Sequence, residues 1–230
     1  MTPSFDLPPF EELFEAIAQG ERKIKINGLW GSSEAYFLSR LHQKGIPFCL
    51  VTPTTLNAQQ MREEINFFVQ HGGGASRVSL FPAWDILPYE PGMPRPDLVA
   101  QRLAILHRLA RGEQVSLVTS VDAFLQKVLD KDFLLFRSTT VKQGDTIERD
   151  DLITRLFQNA YERVESVTAP GEYVSRGGII DFYSPASEMP IRVEFFGDTI
   201  ESLRTFDPAT QKSIAQMDSA QIIPGRDNLA

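Results

Sequence analysis

Between Tyr161 and Pro185 the chain reads YERVESVTAPGEYVSRGGIIDFYSP, a pattern that leaves little freedom of local structure. Val164, Ser166 and Thr168 alternate with Glu165 and Val167, and the run breaks at Pro170-Gly171. A second run goes from Tyr173 through Ile179 and Ile180 to Phe182. Two β-prone runs around a Pro-Gly break predict adjacent strands with a tight connection. The paired Gly177-Gly178 inside the second run predict a bulge or a close approach by another backbone. Arg163 and Arg176 flank this system, and guanidiniums on such strands suit a partner that presents carboxylates or phosphates. Residue types alone also describe a plain hairpin with solvated arginines, since most surface arginines have no special role.

The first half has a different rhythm. Phe10, Leu13, Phe14 and Ile17 recur at helical spacing and stop at Gly20. A short strand is expected around Ile24 and Ile26. It is followed by a glycine turn and a helix capped by Ser32 or Ser33, with Tyr36, Phe37 and Leu41 on its apolar face. PFCLVTP, RVSLFPA and the VSLVTSV run from Val115 read as strands, with helices over Leu56–Val69 and Leu98–Ala110, the latter capped by Asp97. Strands and helices alternating in this way predict a parallel α/β sheet. The proline-rich segment from Phe81 to Asp97 predicts an ordered surface connection fastened by Trp84, Leu87 and Tyr89.

Composition shifts near Asp130-Lys131-Asp132, so a second, α+β domain is expected beyond residue 133. FLLFRSTTVKQGDTI reads as a strand and a turn at Gln143-Gly144-Asp145, and RDDLITRLFQNA as a helix. IRVEFFGDTIESLRTFD is a hairpin about Gly197-Asp198, and SIAQMDSAQIIP adds one more strand.

Several function classes find no support. Net charge is −7, with 13 basic and 15 acidic residues up to residue 133 and 10 and 15 after it. Neither half resembles a stand-alone clamp on a phosphate backbone, so Arg95, Gln101 and Arg102 are weak candidates for nucleic-acid contact. His42, His71 and His107 lie far apart without ligand spacing, so no metal is expected, and Cys49 reads as a buried small hydrophobe. No secretory leader or membrane span is apparent, which predicts a cytoplasmic chain. The turn Gly28-Leu29-Trp30-Gly31-Ser32-Ser33-Glu34 stands where a phosphate-binding loop would stand. It lacks the lysine such a loop needs, and Glu34 repels phosphate, so no nucleotide cofactor and no ATPase activity are expected.

The co-linear segments FPAWDILPYEPGMPRPDLVAQRLAILHRL, VTSVDAFLQKV, PGEYVSRGGIIDFYSP, PIRVEFFGDTIESLRTFDPATQKS and AQIIP resemble the amino-terminal, UvrB-like region of the bacterial transcription-repair coupling factors, the Mfd family. The resemblance implies a partial helicase-like α/β fold (UvrB domain 1A-like) over residues 1–133 and a mainly antiparallel UvrB domain 2-like fold over 134–230. It implies that the second domain docks UvrA through Arg163, Arg176, Gly177 and Phe182, with Val174 where UvrB has a further arginine. It also implies a degenerate phosphate loop at Gly28, Gly31, Ser32, Ser33 and Glu34. RNA polymerase and DNA would be partners through later domains, and self-inhibitory packing is known in the family. A UvrB-type ATP-dependent DNA helicase is the alternative. UvrB's DNA-threading hairpin has no room here, because Pro94-Arg95-Pro96-Asp97 leads at once into a helix.

Overall fold

The computed structural model describes residues 8–74, 77–86 and 92–227. In chain order the elements are α1 (Pro8–Ala18), α2 (Ser33–Gln43), β1 (Cys49–Thr52), α3 (Thr55–His71), β2 (Ser79–Phe81), α4 (Pro96–Ala110), β3 (Leu117–Ser120), α5 (Val121–Leu125), α6 (Lys131–Arg137), β4 (Thr139–Lys142), α7 (Arg149–Gln158), β5 (Glu162–Arg163), β6 (Glu172–Arg176), β7 (Ile179–Phe182), β8 (Ile191–Phe196), β9 (Thr199–Phe206), β10 (Ser213–Gln216) and β11 (Ser219–Ile222). The class is mixed α/β, with a small sheet containing a parallel pair and two antiparallel-rich sheets. Contacts divide the chain into one unit of residues 1–80 with 115–121 and another of 81–114 with 122–230. Residues 81–114 and 122–133 thus pack with the second half, whereas the division expected from the sequence falls at 133.

In the first unit β1 and β3 pair in parallel, within the strand order β1-β3-β2. α2 and α3 supply the apolar stripe that closes its core, with Phe37, Leu41, Ile65, Val69, Leu80 and Val118 buried together. α3 starts where the Thr54 hydroxyl accepts from the Asn57 amide, and stops at Gly72-Gly73, where Gly73 takes φ +79°. Three expectations are corrected. Ile24 and Ile26 keep the alternation of a strand, half-buried between exposed lysines, but no strand forms there, because alternation needs a ladder partner as well. Cys49 is exposed, because it shares the uncovered face of edge strand β1 with Val51. Ser32 occupies the N-cap of α2 without a side-chain cap bond.

In the second unit six strands follow the order β10-β9-β8-β7-β6-β5. Leu152 and Leu156 of α7 pack on one face of this sheet with Tyr173, Ile180, Phe182, Ile191, Val193 and Leu203. β4 and β11 form a separate antiparallel pair whose Val141, Ala220 and Ile222 join the same core.

The tail therefore holds two strands, β10 and β11, where one was expected. FLLFR is helix α6 and not a strand: the Asp130 carboxylate accepts from the amides of Asp132 and Phe133 at 2.9 and 3.1 Å, and this cap fixes the helix start. Asp97 does not cap α4. Pro96 opens that helix and Asp97 sits in its first turn, paired with Arg95 at 2.5 Å. Trp84 is fastened by a bond from its indole N–H to Asp227 at 2.9 Å, while Leu87 and Tyr89 lie outside the described residues.

Candidate docking surface

The connection at Pro170-Gly171 is not a hairpin. β5 runs parallel to β6, with Arg163 opposite Tyr173, so residues 164–171 must cross over and return. They fold across the outer face of the sheet, opposite α7. Val167 is buried there with Val174 and Phe206, and the Glu172 carboxylate closes the loop by accepting from the Thr168 and Ala169 amides at 2.7 and 2.8 Å. The tight turn lies at Gly177-Gly178, between β6 and β7, where a bulge was expected. Gly177 adopts φ +58°, and a Cβ on Gly178 would stand 3.2 Å from the Phe195 carbonyl, so the second glycine is a close approach as well.

The predicted site residues separate on this frame. Arg176 and Gly177 stand together, exposed, at the hairpin end of β6. Arg176 donates to the backbone carbonyl of Glu165 and has no carboxylate partner among the described residues. Arg163 is exposed on edge strand β5 and makes no hydrogen bond or ion pair among the described residues. The register gives the two opposite parity, Arg163 with Tyr173 and Arg176 with Val174, so they do not stand side by side.

Phe182 is corrected. It is 0% exposed, with its ring 6.3 Å from Tyr161, and it serves the core rather than a partner. Its neighbour Tyr161 is equally internal. Burial pushes that phenol well above its ordinary range, and its hydroxyl donates to the Ile223 carbonyl at 2.9 Å.

A residue that sequence reasoning passed over joins the turn. Arg149, at the start of α7, donates to the Gly177 carbonyl at 2.5 Å and pairs with Asp150 at 3.1 Å. Nothing in its local sequence signals this, because the contact spans 28 residues. On the outer face Glu194 accepts from Ser202 at 2.6 Å and pairs with Arg204 at 3.1 Å, so its charge is compensated internally.

Two hollows lie among the described residues. Near the β5 edge, Met93, Pro94, Pro96, Val99, Pro170 and Gly171 line a cleft of about 340 Å³ that also includes the Arg226–Glu162 pair at 2.8 Å. In the first unit an open hollow beside the Gly28–Glu34 turn is lined mainly by Ile24, Ile26, Leu29, Phe37 and Leu38, with Glu34 among them. Gly28 and Gly31 take positive φ, but an apolar wall carrying a carboxylate does not suit a triphosphate. No His/Cys/Asp/Glu group that could hold a metal ion occurs among the described residues.

Residues 139–227, from β4 past β11, match the UvrB interaction domain. This segment belongs to that family. Along most of its length the chain is also similar to transcription-repair-coupling factors. Identity is 33% to that of Myxococcus xanthus over 96% of this chain and 19% of the relative. It is 29% to that of Escherichia coli over 92% and 18%, and 36% to that of Mycobacterium bovis over 81% and 15%. The chain spans about a fifth or less of the length of these relatives. Among the described residues no helix is long and apolar enough to cross a membrane.

Proposed function

We propose that this chain is a protein-interaction module of a transcription-repair coupling factor, one that recruits the excision-repair protein UvrA to RNA polymerase stalled at DNA damage. In this reading residues 1–133 are a UvrB-like domain 1A scaffold without nucleotide chemistry, and 134–230 are the UvrB-like domain 2 that meets UvrA. One observation carries it. Within the segment of the UvrB interaction domain, Arg163 and Arg176 are exposed, and neither is neutralised by a carboxylate among the described residues. An unneutralised guanidinium on a rigid strand is available for charge-assisted, bidentate bonds to acidic groups of a partner.

The test is a pull-down of purified UvrA by the chain, with Arg163→Ala and Arg176→Ala alongside and circular dichroism to check each fold. Retention of UvrA by the parent and its loss in the variants is the expected result. Equal capture by all three would refute the role of the arginines. The helicase alternative is tested by equilibrium dialysis against ATP. The expectation is no saturable uptake, and saturable binding would return the Gly28–Glu34 turn to consideration as a nucleotide site.

A further inference from the structure

Strand alternation assigns each residue of the second unit's sheet to one of two faces. Ile191 and Val193 of β8 point into the α7 core, so Arg192 and Glu194 point outward, as does Phe196 at the same parity. The register carries this across the sheet: Glu194 pairs with Ile179, and Ile179 pairs with Arg176. Arg176, Ile179, Glu194 and Phe196 therefore share the outer face. The half of that face nearer the loop is covered by Val167, but the hairpin half is open. Phe196 is 79% exposed there, immediately before the Gly197-Asp198 turn, opposite the exposed Thr199.

A phenylalanine that exposed forgoes about 2 kcal/mol of burial. Its neighbour Phe195 does pack against the core, so the hairpin does not lack an apolar residue to hold it down. Phe195 thus makes the hairpin's contact with the core, and Phe196 is not part of that packing. β6 and β8 are separated by one strand and Phe196 lies two residues beyond Glu194, the residue level with Arg176, which puts Arg176 and Phe196 about 12 Å apart on this face. Between them Glu194 is already engaged by Arg204 and Ser202, leaving Arg176 as the uncompensated charge and Phe196 as the apolar projection. Arginine is enriched in binding hot spots, and phenylalanine is among the aromatic residues enriched at interfaces.

We propose that Phe196 is the aromatic anchor of the UvrA-docking surface, entering an apolar recess next to the carboxylate that receives Arg176. This rests on the functional reading above and replaces buried Phe182 in the role of anchor. The Gly177-Gly178 turn keeps the Arg176 backbone fixed relative to the end of β8, because the Phe195 amide donates to the Gly178 carbonyl at 2.8 Å. The two side chains are therefore presented in a fixed arrangement.

The experiment titrates UvrA against the chain and four variants: Phe196→Ala, Thr199→Glu, Phe157→Ala and Arg176→Ala. Phe157 is 71% exposed on α7, away from the outer face, and serves as the control for a lost surface phenylalanine. Phe196→Ala is expected to weaken UvrA binding about tenfold or more, as truncation of an aromatic hot spot does. Thr199→Glu keeps the phenylalanine but sets a carboxylate beside it, so it too should weaken binding, while Phe157→Ala should bind as the parent does. Parent-like affinity of both Phe196→Ala and Thr199→Glu, with Arg176→Ala impaired, overturns the anchor and leaves the functional reading standing. Failure of the parent chain to bind UvrA overturns both. Equal weakening by Phe157→Ala and Phe196→Ala also overturns the anchor, since the effect is then not specific to this face.

Discussion

Arg192 grips Asp181 across neighbouring strands through two parallel bonds of 2.8 Å, from Nε and Nη2 to the two carboxylate oxygens. The Asp181 side chain is 3% exposed, and the Arg192 guanidinium also lies over the Phe206 ring at 4.8 Å. The bond to Asp181 holds the Arg192 guanidinium above its ordinary value, so the guanidinium stays charged. It ties β7 to β8 beneath the loop that covers the outer face. Removing one member strands a buried charge, so Asp181→Ala should cost about 3–5 kcal/mol in urea unfolding. A loss under about 1 kcal/mol would show that the pair is dispensable.

A second buried cation fastens a different part of the same unit. Arg102 is 0% exposed, donates to the Pro82 carbonyl at 2.7 Å and to Gln126 at 3.0 Å, and stacks on Phe81 and Trp84. Asp227, bonded by the Trp84 indole, compensates it at 3.7 Å. Arg102→Ala leaves the Asp227 carboxylate buried without its cation, and should destabilise the second unit by about 3–5 kcal/mol. Tryptophan fluorescence reports it. Trp30 is 85% exposed and contributes a solvent-like background, so the emission shift of the native variant comes from Trp84. An unchanged native spectrum together with unchanged stability would contradict this account.

Alkaline titration tests the core beside Phe182. Burial raises the Tyr161 phenol above its ordinary value of about 10, so the neutral form is favoured in the fold. A raised folded value means that this stabilisation is fully present below pH of about 10 and is lost as pH climbs toward the folded value. Tyrosinate absorbance from Tyr161 should therefore appear together with loss of far-ultraviolet circular dichroism. Ionisation of every tyrosine with the dichroism intact would contradict the placement of Tyr161.

The parts of this architecture legible in the sequence are those where one local rule decides. Ile191 to Phe206 alternate about a Gly-Asp turn, and the hairpin forms there. Leu152 and Leu156 recur at helical spacing, and α7 buries them. The failures come where two rules compete or where the partner is distant. Phe133 to Arg137 carry strand-like residues, but the Asp130 cap directs them into α6. Ile24 and Ile26 alternate without a neighbouring strand to pair with. Around the site, Arg163 and Arg176 were readable as exposed cations, but the parallel pairing of β5 with β6 was not, because a Pro-Gly break suggests a hairpin. Phe182 and Phe196 differ in fate only through which face of the sheet each occupies. For Phe196 the parity with Arg192 and Glu194 carried that information in the sequence itself.

Calorimetric titration of purified UvrA into this chain, repeated with the Arg163→Ala/Arg176→Ala double variant, reaches the central claim most directly. Saturable binding by the parent is expected, with affinity falling by at least about tenfold in the double variant, since truncated hot-spot arginines cost about 1–4 kcal/mol. No heat of binding with the parent, or identical isotherms for parent and double variant of equal fold, would contradict it.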